Sequence, residues 1–359
     1  MPQDDKRQVR SEGSGAEVVS ANDRIGVAIF GAGNVSSGHL DAYLHSPRCE
    51  VVAIGSRTKA GAEAKAHEVG IDPSTIGIYD DLDALLSDPN LDALSITTPH
   101  SRHAADVIAA ANAGKHCLVE KPIAMNLEEL EAMDAAVAKA GIRTVCGFVL
   151  RFNPATLATK ALIEEGMLGE VLYVQTDYWH NPEQSGYPGS EDHLSKMDAT
   201  AMLLGGCHAL DLARYLMGSD IVEVSALGFH GAEDIVHLPG QTAIVRFANG
   251  KAGKVSAAVE QWMPYQFNVD VLGTDGGLRD NRFFSRKLPG VTGWIEFPTV
   301  LPNSGAVSHH PFQGEVDHFL DCIIDGKESH VNVHDGVNTH RALFAIDRSC
   351  VEGGATIVV

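Results

Sequence analysis

The chain has 359 residues, of which 44% are apolar and 21% charged, an ordinary globular composition with enough length for two domains. Its formal net charge of −20 repels nucleic acid and anionic membrane surfaces, which excludes both as main partners. No apolar run reaches bilayer length, and six scattered cysteines without a CxxC pair exclude a disulfide frame or a thiolate zinc site.

Residues 1–22 are polar, contain Gly and Ser and lack an apolar signal core, so a disordered extension in a cytoplasmic protein is expected. Ile25 to Phe30 is an uninterrupted apolar run that predicts a buried parallel strand. A glycine loop, Gly31-Ala32-Gly33-Asn34-Val35-Ser36, leads from it into a helix ending near His45. Strands are predicted at 50–55, 93–97, 116–119 and 143–149, and helices at 59–68, around Leu82 to Leu86, at 101–113 and at 127–140. Asn126 and Glu129 form a capping-box signature before the last of these helices. Alternation of this kind specifies a right-handed parallel α/β sheet over residues 23–148.

The pattern then changes. A helix opening at Arg151-Phe152-Asn153-Pro154 and stopping at Gly166 is followed by a run of strand formers from Glu170 to Trp179. Thr200 to Met217 predicts one helix, and strand-forming runs follow at 221–229, 242–247, 251–259 and 266–272, with the hairpin signal Asn249-Gly250 between two of them. Closing helices are predicted at 312–324 and 337–351. Residues 149–359 therefore read as an α+β domain on an open, mostly antiparallel sheet.

Chemistry concentrates at the strand ends of the first domain. Gly31 suits a tight turn and Gly33 the close approach of a pyrophosphate, with Asn34 and Val35 opening the helix and the small Ser36 at the third fingerprint position. The second strand ends at Ser56-Arg57, with no acid for a ribose 2′-hydroxyl; a hydroxyl and a guanidinium favour NADP over NAD. Thr97-Thr98-Pro99-His100 and His103 border the same edge. Glu120-Lys121-Pro122 places a carboxylate and an ammonium at another strand end, where Pro122 restricts the Lys121 backbone. In the second domain, His208 and Asp211 stand three apart on a helix beside Gly205-Gly206, and a carboxylate-oriented histidine suits a general base. His309-His310 and Glu191-Asp192-His193 fit no recognisable ligand spacing, so no metal is expected.

These motifs, together with Ala113-Gly114-Lys115-His116 before Glu120-Lys121-Pro122, resemble the glucose–fructose oxidoreductase/inositol dehydrogenase/rhizopine-catabolism family from Arg24 onward. The resemblance implies a Rossmann domain, a sheet-based second domain, NAD or NADP, a small polyhydroxylated substrate, and homodimers or homotetramers formed through the sheet. It implies that Lys121 holds the reacting hydroxyl while His208 moves its proton, with Arg151, Trp179, His180 and Asp211 near the substrate. One departure stands out: many dehydrogenases of the family carry an Asp four residues before the histidine, where this chain has Leu204. Asp211, His180 or Tyr178 are the candidates to replace it. The family also contains hydrolases that recycle a bound cofactor and regulators that sense sugar and dinucleotide.

Overall fold

The structure, a computed structural model, describes residues 24–185, 193–231, 233, 235–298 and 310–359; the expected N-terminal extension, residues 1–22, lies outside them. The first domain alternates strictly: β1 (Ile25–Phe30), α1 (Asn34–His45), β2 (Cys49–Gly55), α2 (Lys59–Glu68), β3 (Gly77–Tyr79), α3 (Leu82–Leu86), β4 (Ala93–Ile96), α4 (His103–Asn112), β5 (His116–Val119), α5 (Leu127–Ala140) and β6 (Thr144–Cys146). All pairings are parallel, in the order β3-β2-β1-β4-β5-β6. Order reverses between β1 and β4, so the crevice above their carboxyl ends is where such a sheet binds ligands. Every residue of β1 is buried, as a strand covered on both faces requires. Helix starts are capped by side chains: Thr58 accepts from Gly61 N, Asp81 from Ala84 N and Asn126 from Glu129 N. The Glu129 carboxylate accepts from Met125 N, one residue before the cap, so the box closes one position early. β3 escapes the sequence pattern because three half-buried residues show no period.

The second domain comprises α6 (Pro154–Glu164), β7 (Val171–Trp179), α7 (His193–Lys196), α8 (Cys207–Met217), β8 (Ile221–Phe229), β9 (Gly240–Phe247), β10 (Ala252–Ala258), β11 (Gln266–Gly273), β12 (Gly276–Arg279), β13 (Arg282–Ser285), β14 (Ile295–Glu296), α9 (Phe312–Asp325), α10 (Val333–Val351) and β15 (Ile357–Val358). Its sheet runs β14-β13-β12-β11-β7-β10-β9-β8-β15 and is antiparallel except for the β7–β10 pair. Asn249-Gly250 makes the β9–β10 turn, with Gly250 at φ 81°. The single helix expected over 200–217 is two pieces: a π-helical turn, Met202–Gly206, precedes α8. α9 and α10 return to the first domain, packing on α1 and α5 respectively. Among the described residues no helix is long and apolar enough to cross a membrane, and all six cysteines are free thiols.

Strand alternation decides which β7 side chains face α8. Thr176 donates to Ala209 O of α8 at 2.8 Å, and Tyr178 lies on the same face. Trp179 therefore points to the opposite, open face, where Lys254 stands 5.9 Å from its ring centroid. The expectation that Trp179 binds substrate is corrected: the two-residue period of the strand turns it away from the cleft.

The second domain is knotted at Arg151. Its guanidinium donates to both Asp211 oxygens at 2.7 and 2.6 Å, to Asp335 at 2.8 Å and to His330 O at 2.7 Å. The Arg151 guanidinium and both Asp211 oxygens are taken up by this buried network, so neither is free for a substrate, contrary to expectation. Removing one partner strands a buried charge, so Asp211→Ala is expected to cost about 3–5 kcal/mol in denaturant unfolding. An unfolding midpoint equal to that of the parent would show that the pair fastens nothing.

Candidate active site

The loop between β1 and α1 has the geometry of an anion-binding turn. Gly31 has φ 112°, and a Cβ there would stand 2.4 Å from Thr97 O, so only glycine fits. The Thr97 hydroxyl donates to Gly31 O at 2.7 Å and ties the loop to the end of β4. Gly33 is the N-cap of α1 without a side-chain cap, and a Cβ on it would meet nothing within 4 Å. Unsatisfied amides at a helix N-terminus facing open space suit a pyrophosphate. Asn34 and Val35 begin that helix, and Ser36, fully buried, bonds back to Gly33 O. A cleft of about 740 Å³ runs from this loop past Ser56, Arg57, Thr97 and Pro99. Among the described residues Arg57 is exposed and makes no ion pair, whereas Arg102, on the same wall, is held by Asp106 at 2.7 Å. These residues fit a dinucleotide.

Two expected cofactor ligands serve the frame instead. His103 is buried between Pro122 O at 2.7 Å and Thr98 O at 2.8 Å, joining two strand ends rather than facing the cleft. Glu120 is 7% exposed, with one oxygen 3.0 Å from His39 Nε2 and the other accepting Lys121 N at 3.1 Å. His39 continues to Ser95, and Ser95 to Tyr43. Burial pushes the Glu120 carboxyl up, but the His39 hydrogen bond and charge, with Lys121 beside it, outweigh this and hold it at about 2. The ionised carboxylate thus pins the Lys121 backbone. Below it, His340 of α10 accepts from Ile123 N at 3.0 Å, fixing the far side of the turn whose Lys121–Pro122 bond is cis. Neither His39 nor His340 carries a local sequence signal.

Lys121 reaches across the cleft. Its Nζ donates to Leu204 O, in the π-helical turn before α8, at 3.0 Å. What stands where an acid was expected is therefore a backbone carbonyl. His208, one turn on, is 3% exposed, and its Nδ1 is buried without a partner among the described residues. Burial first, then the charges of Lys121 and His310, push its pKa well below 6.5. Asp211 does not orient it, because both Asp211 oxygens belong to Arg151.

Aromatic groups wall the rest. The Tyr178 ring stacks on His208 at 6.3 Å, and its hydroxyl meets His180 Nδ1 at 2.9 Å. Tyr265 packs edge-on against Tyr178 and His180, at 5.7 and 5.0 Å, with its hydroxyl buried and without a partner among the described residues. His310 closes the group, 6.0 Å from His208. The sequence pointed to His180, weighed His310 only as a metal ligand and missed Tyr265; the latter two arrive from distant loops. Gly205 and Gly206 serve this packing rather than a ligand: a Cβ on Gly205 would lie 2.3 Å from the Tyr178 ring, and one on Gly206 2.5 Å from Ala257. Among the described residues no His, Cys, Asp or Glu cluster is placed to hold a metal; Glu191, Asp192 and His309 lie outside them.

Comparison with known proteins agrees with this geometry. The chain is 28% identical over 305 residues to scyllo-inositol 2-dehydrogenase (NAD(+)) of Bacillus subtilis, covering 84% of this chain and 86% of that one. It is 28% identical to D-xylose 1-dehydrogenase (NADP(+)) 2 of Haloferax volcanii over 85% of this chain and 91% of the relative. The solved Lactobacillus casei scyllo-inositol dehydrogenase with bound NAD(H) and scyllo-inositol shares the fold, with a TM-score of 0.78 and 20% identity, covering 94% of this chain and 99% of that one. Residues 25–148 match the oxidoreductase family with an NAD-binding Rossmann fold, and residues 156–279 match the GFO/IDH/MocA C-terminal domain. The chain belongs to the GFO/IDH/MocA oxidoreductase family and is an NAD(P)-dependent dehydrogenase acting on CH–OH groups.

Proposed function

We propose that this dehydrogenase moves a hydride between nicotinamide and a ring carbon of a sugar-like polyol, and that it prefers NADP. The observation that carries the reading is the meeting of Lys121, from the end of β5, with the turn that presents His208 from the other domain. An ammonium donates to the carbinol oxygen and favours its charge as the proton departs, and a neutral imidazole beside it takes that proton. When bound, the nicotinamide accepts the hydride. Leu204 O fixes the ammonium, Glu120 fixes its backbone, and Tyr178 fixes the imidazole ring. His180, joined to Tyr178, and Tyr265 lie where ring hydroxyls would be held.

NADP is supported by Arg57, unpaired on the cleft wall beside Ser56, which suits a 2′-phosphate. A paired assembly is supported by the open sheet face, which exposes Leu227, Ile244 and Leu272; covering it with a second copy gives a homodimer, or a homotetramer by repetition. Six free thiols suit a reducing cytoplasm.

Lys121→Ala and His208→Ala are each expected to slow hydride transfer by at least about a hundredfold, with the double variant little worse than either single one. Single-turnover cofactor absorbance reads this, and a normal rate in His208→Ala would move proton transfer to another group. Arg57→Ala is expected to weaken NADP roughly ten- to hundredfold while leaving NAD nearly unchanged. Equal losses in titrations with both cofactors would limit Arg57 to stacking on adenine. Because its pKa lies well below 6.5, His208 stays neutral and able to accept a proton in mildly acidic solution. The acid limb of kcat/KM for oxidation, which reports the free enzyme, is therefore expected below pH 6.5. A limb above that value would mean that His208 has a negative partner before substrate binds.

A further inference from the structure

The turn whose Leu204 carbonyl meets Lys121 is held from outside its own helix. It is π-helical, Met202–Gly206, and a π-helical turn departs from the α-helical ladder of amide to carbonyl bonds. Its leading amides find other partners. Ala201 N donates to Leu238 O at 2.9 Å, Met202 N to Gln241 Oε1 at 3.1 Å and Leu203 N to Thr200 Oγ1 at 3.3 Å. Gln241, on β9, is fully buried. The Gln241 and Thr200 side chains share one acceptor, the Asp347 carboxylate of α10. Its Oδ1 takes Gln241 Nε2 at 2.8 Å and Thr200 Oγ1 at 2.9 Å.

That shared oxygen only accepts, so it orients both side chains. Gln241 must turn its Nε2 to Asp347, which leaves its Oε1 for Met202 N. Thr200 spends its hydroxyl proton on Asp347, which leaves its lone pairs for Leu203 N. The next residue of the turn is Leu204, whose carbonyl accepts from Lys121 Nζ at 3.0 Å. We infer that Asp347, through Gln241 and Thr200, positions the Lys121 ammonium by fixing where Leu204 O stands. None of the three is among the described residues that line the cofactor cleft, so their effect on the reaction runs through the turn. Without the Asp347 oxygen, the Gln241 amide is free to present Nε2 to Met202 N, two donors face each other, and the turn shifts. A misplacement on the order of 1 Å at reacting groups costs about a hundredfold. The inference rests on the reading of Lys121 as the group that meets the reacting hydroxyl, and it adds what aims that group.

The test uses the full-length protein and variants checked by melting to be folded. Competitive acetylation with acetic anhydride, read by mass spectrometry, reports how freely the Lys121 amine meets reagent. Two other anchored lysines serve as references: Lys65, 2.8 Å from both Ser37 and Glu68, and Lys254, 2.6 Å from Asp177. Asp347→Ala and Gln241→Met are each expected to raise the Lys121 rate at least about threefold over both references, part of what a fully lost hydrogen bond to a charged group would give. Asp347→Asn, which keeps an acceptor oxygen, is expected to retain the parental ratio. With whichever of myo-inositol, D-glucose and D-galactose the parent oxidises, Asp347→Ala and Gln241→Met are expected to lower kcat about tenfold or more while cofactor affinity holds. In a Lys121→Ala background the same substitutions are expected to add no more than about twofold, because they act through the group already removed. An unchanged Lys121 ratio overturns the inference. So does an equal rise at Lys65 and Lys254, an Asn variant as reactive as the Ala variant, or a full further loss in the Lys121→Ala background. A raised Lys121 ratio with unchanged kcat keeps the network and removes Lys121 from the chemistry.

Discussion

Asp211 belongs to Arg151, and much of the second domain depends on that pairing. The guanidinium stands just after the last strand of the Rossmann sheet, and the carboxylate stands one turn into α8. Their ion pair, extended to Asp335 of α10, ties α8 to α10 and to the segment that leaves the Rossmann sheet. Desolvating three charges is expensive, and the arrangement persists because the planar fork satisfies both Asp211 oxygens at once. The consequence for chemistry is direct. His208, on the same helix, has its position set by this knot yet receives no carboxylate from it.

A second buried network does for Lys121 what the first does for His208. Glu120, His39, Ser95 and Tyr43 form a chain under β5, and its ionised end holds the Lys121 amide. The two groups proposed to react are thus held by buried networks on opposite sides of the cleft. The small residues of α8's approach complete the geometry. Gly205 lets the Tyr178 ring lie against the turn, and the ring in turn fixes the imidazole.

The charge pattern of the cleft has two parts. At the Ser56 end of the cleft, Arg57 makes no ion pair among the described residues. At the reacting end the ammonium of Lys121 faces imidazoles and phenols. Both positive groups sit on a chain of net charge −20, so local burial and pairing, rather than overall charge, set what each end attracts.

The Rossmann domain was legible in the sequence because its signals are local: apolar runs of strand length, side-chain caps such as Thr58 and Asn126, and glycines whose backbone conformation no other residue tolerates. Glu120-Lys121-Pro122 and His208 were legible for the same reason, as short motifs at element ends. The antiparallel sheet was legible in outline from strand-forming runs and the Asn249-Gly250 turn, but β12 to β15 were too short to show a period. What the side chains do was a different matter. Spacing on a helix suggested that Asp211 serves His208; only packing showed that Arg151 takes it. Alternation along β7, once its register was set, sent Trp179 to the open face and Tyr178 to the site. His103, Tyr265, His310, His39 and His340 gained or lost their places through contacts made far along the chain, and partner choice among buried polar groups depends on which of them folding brings within hydrogen-bond reach.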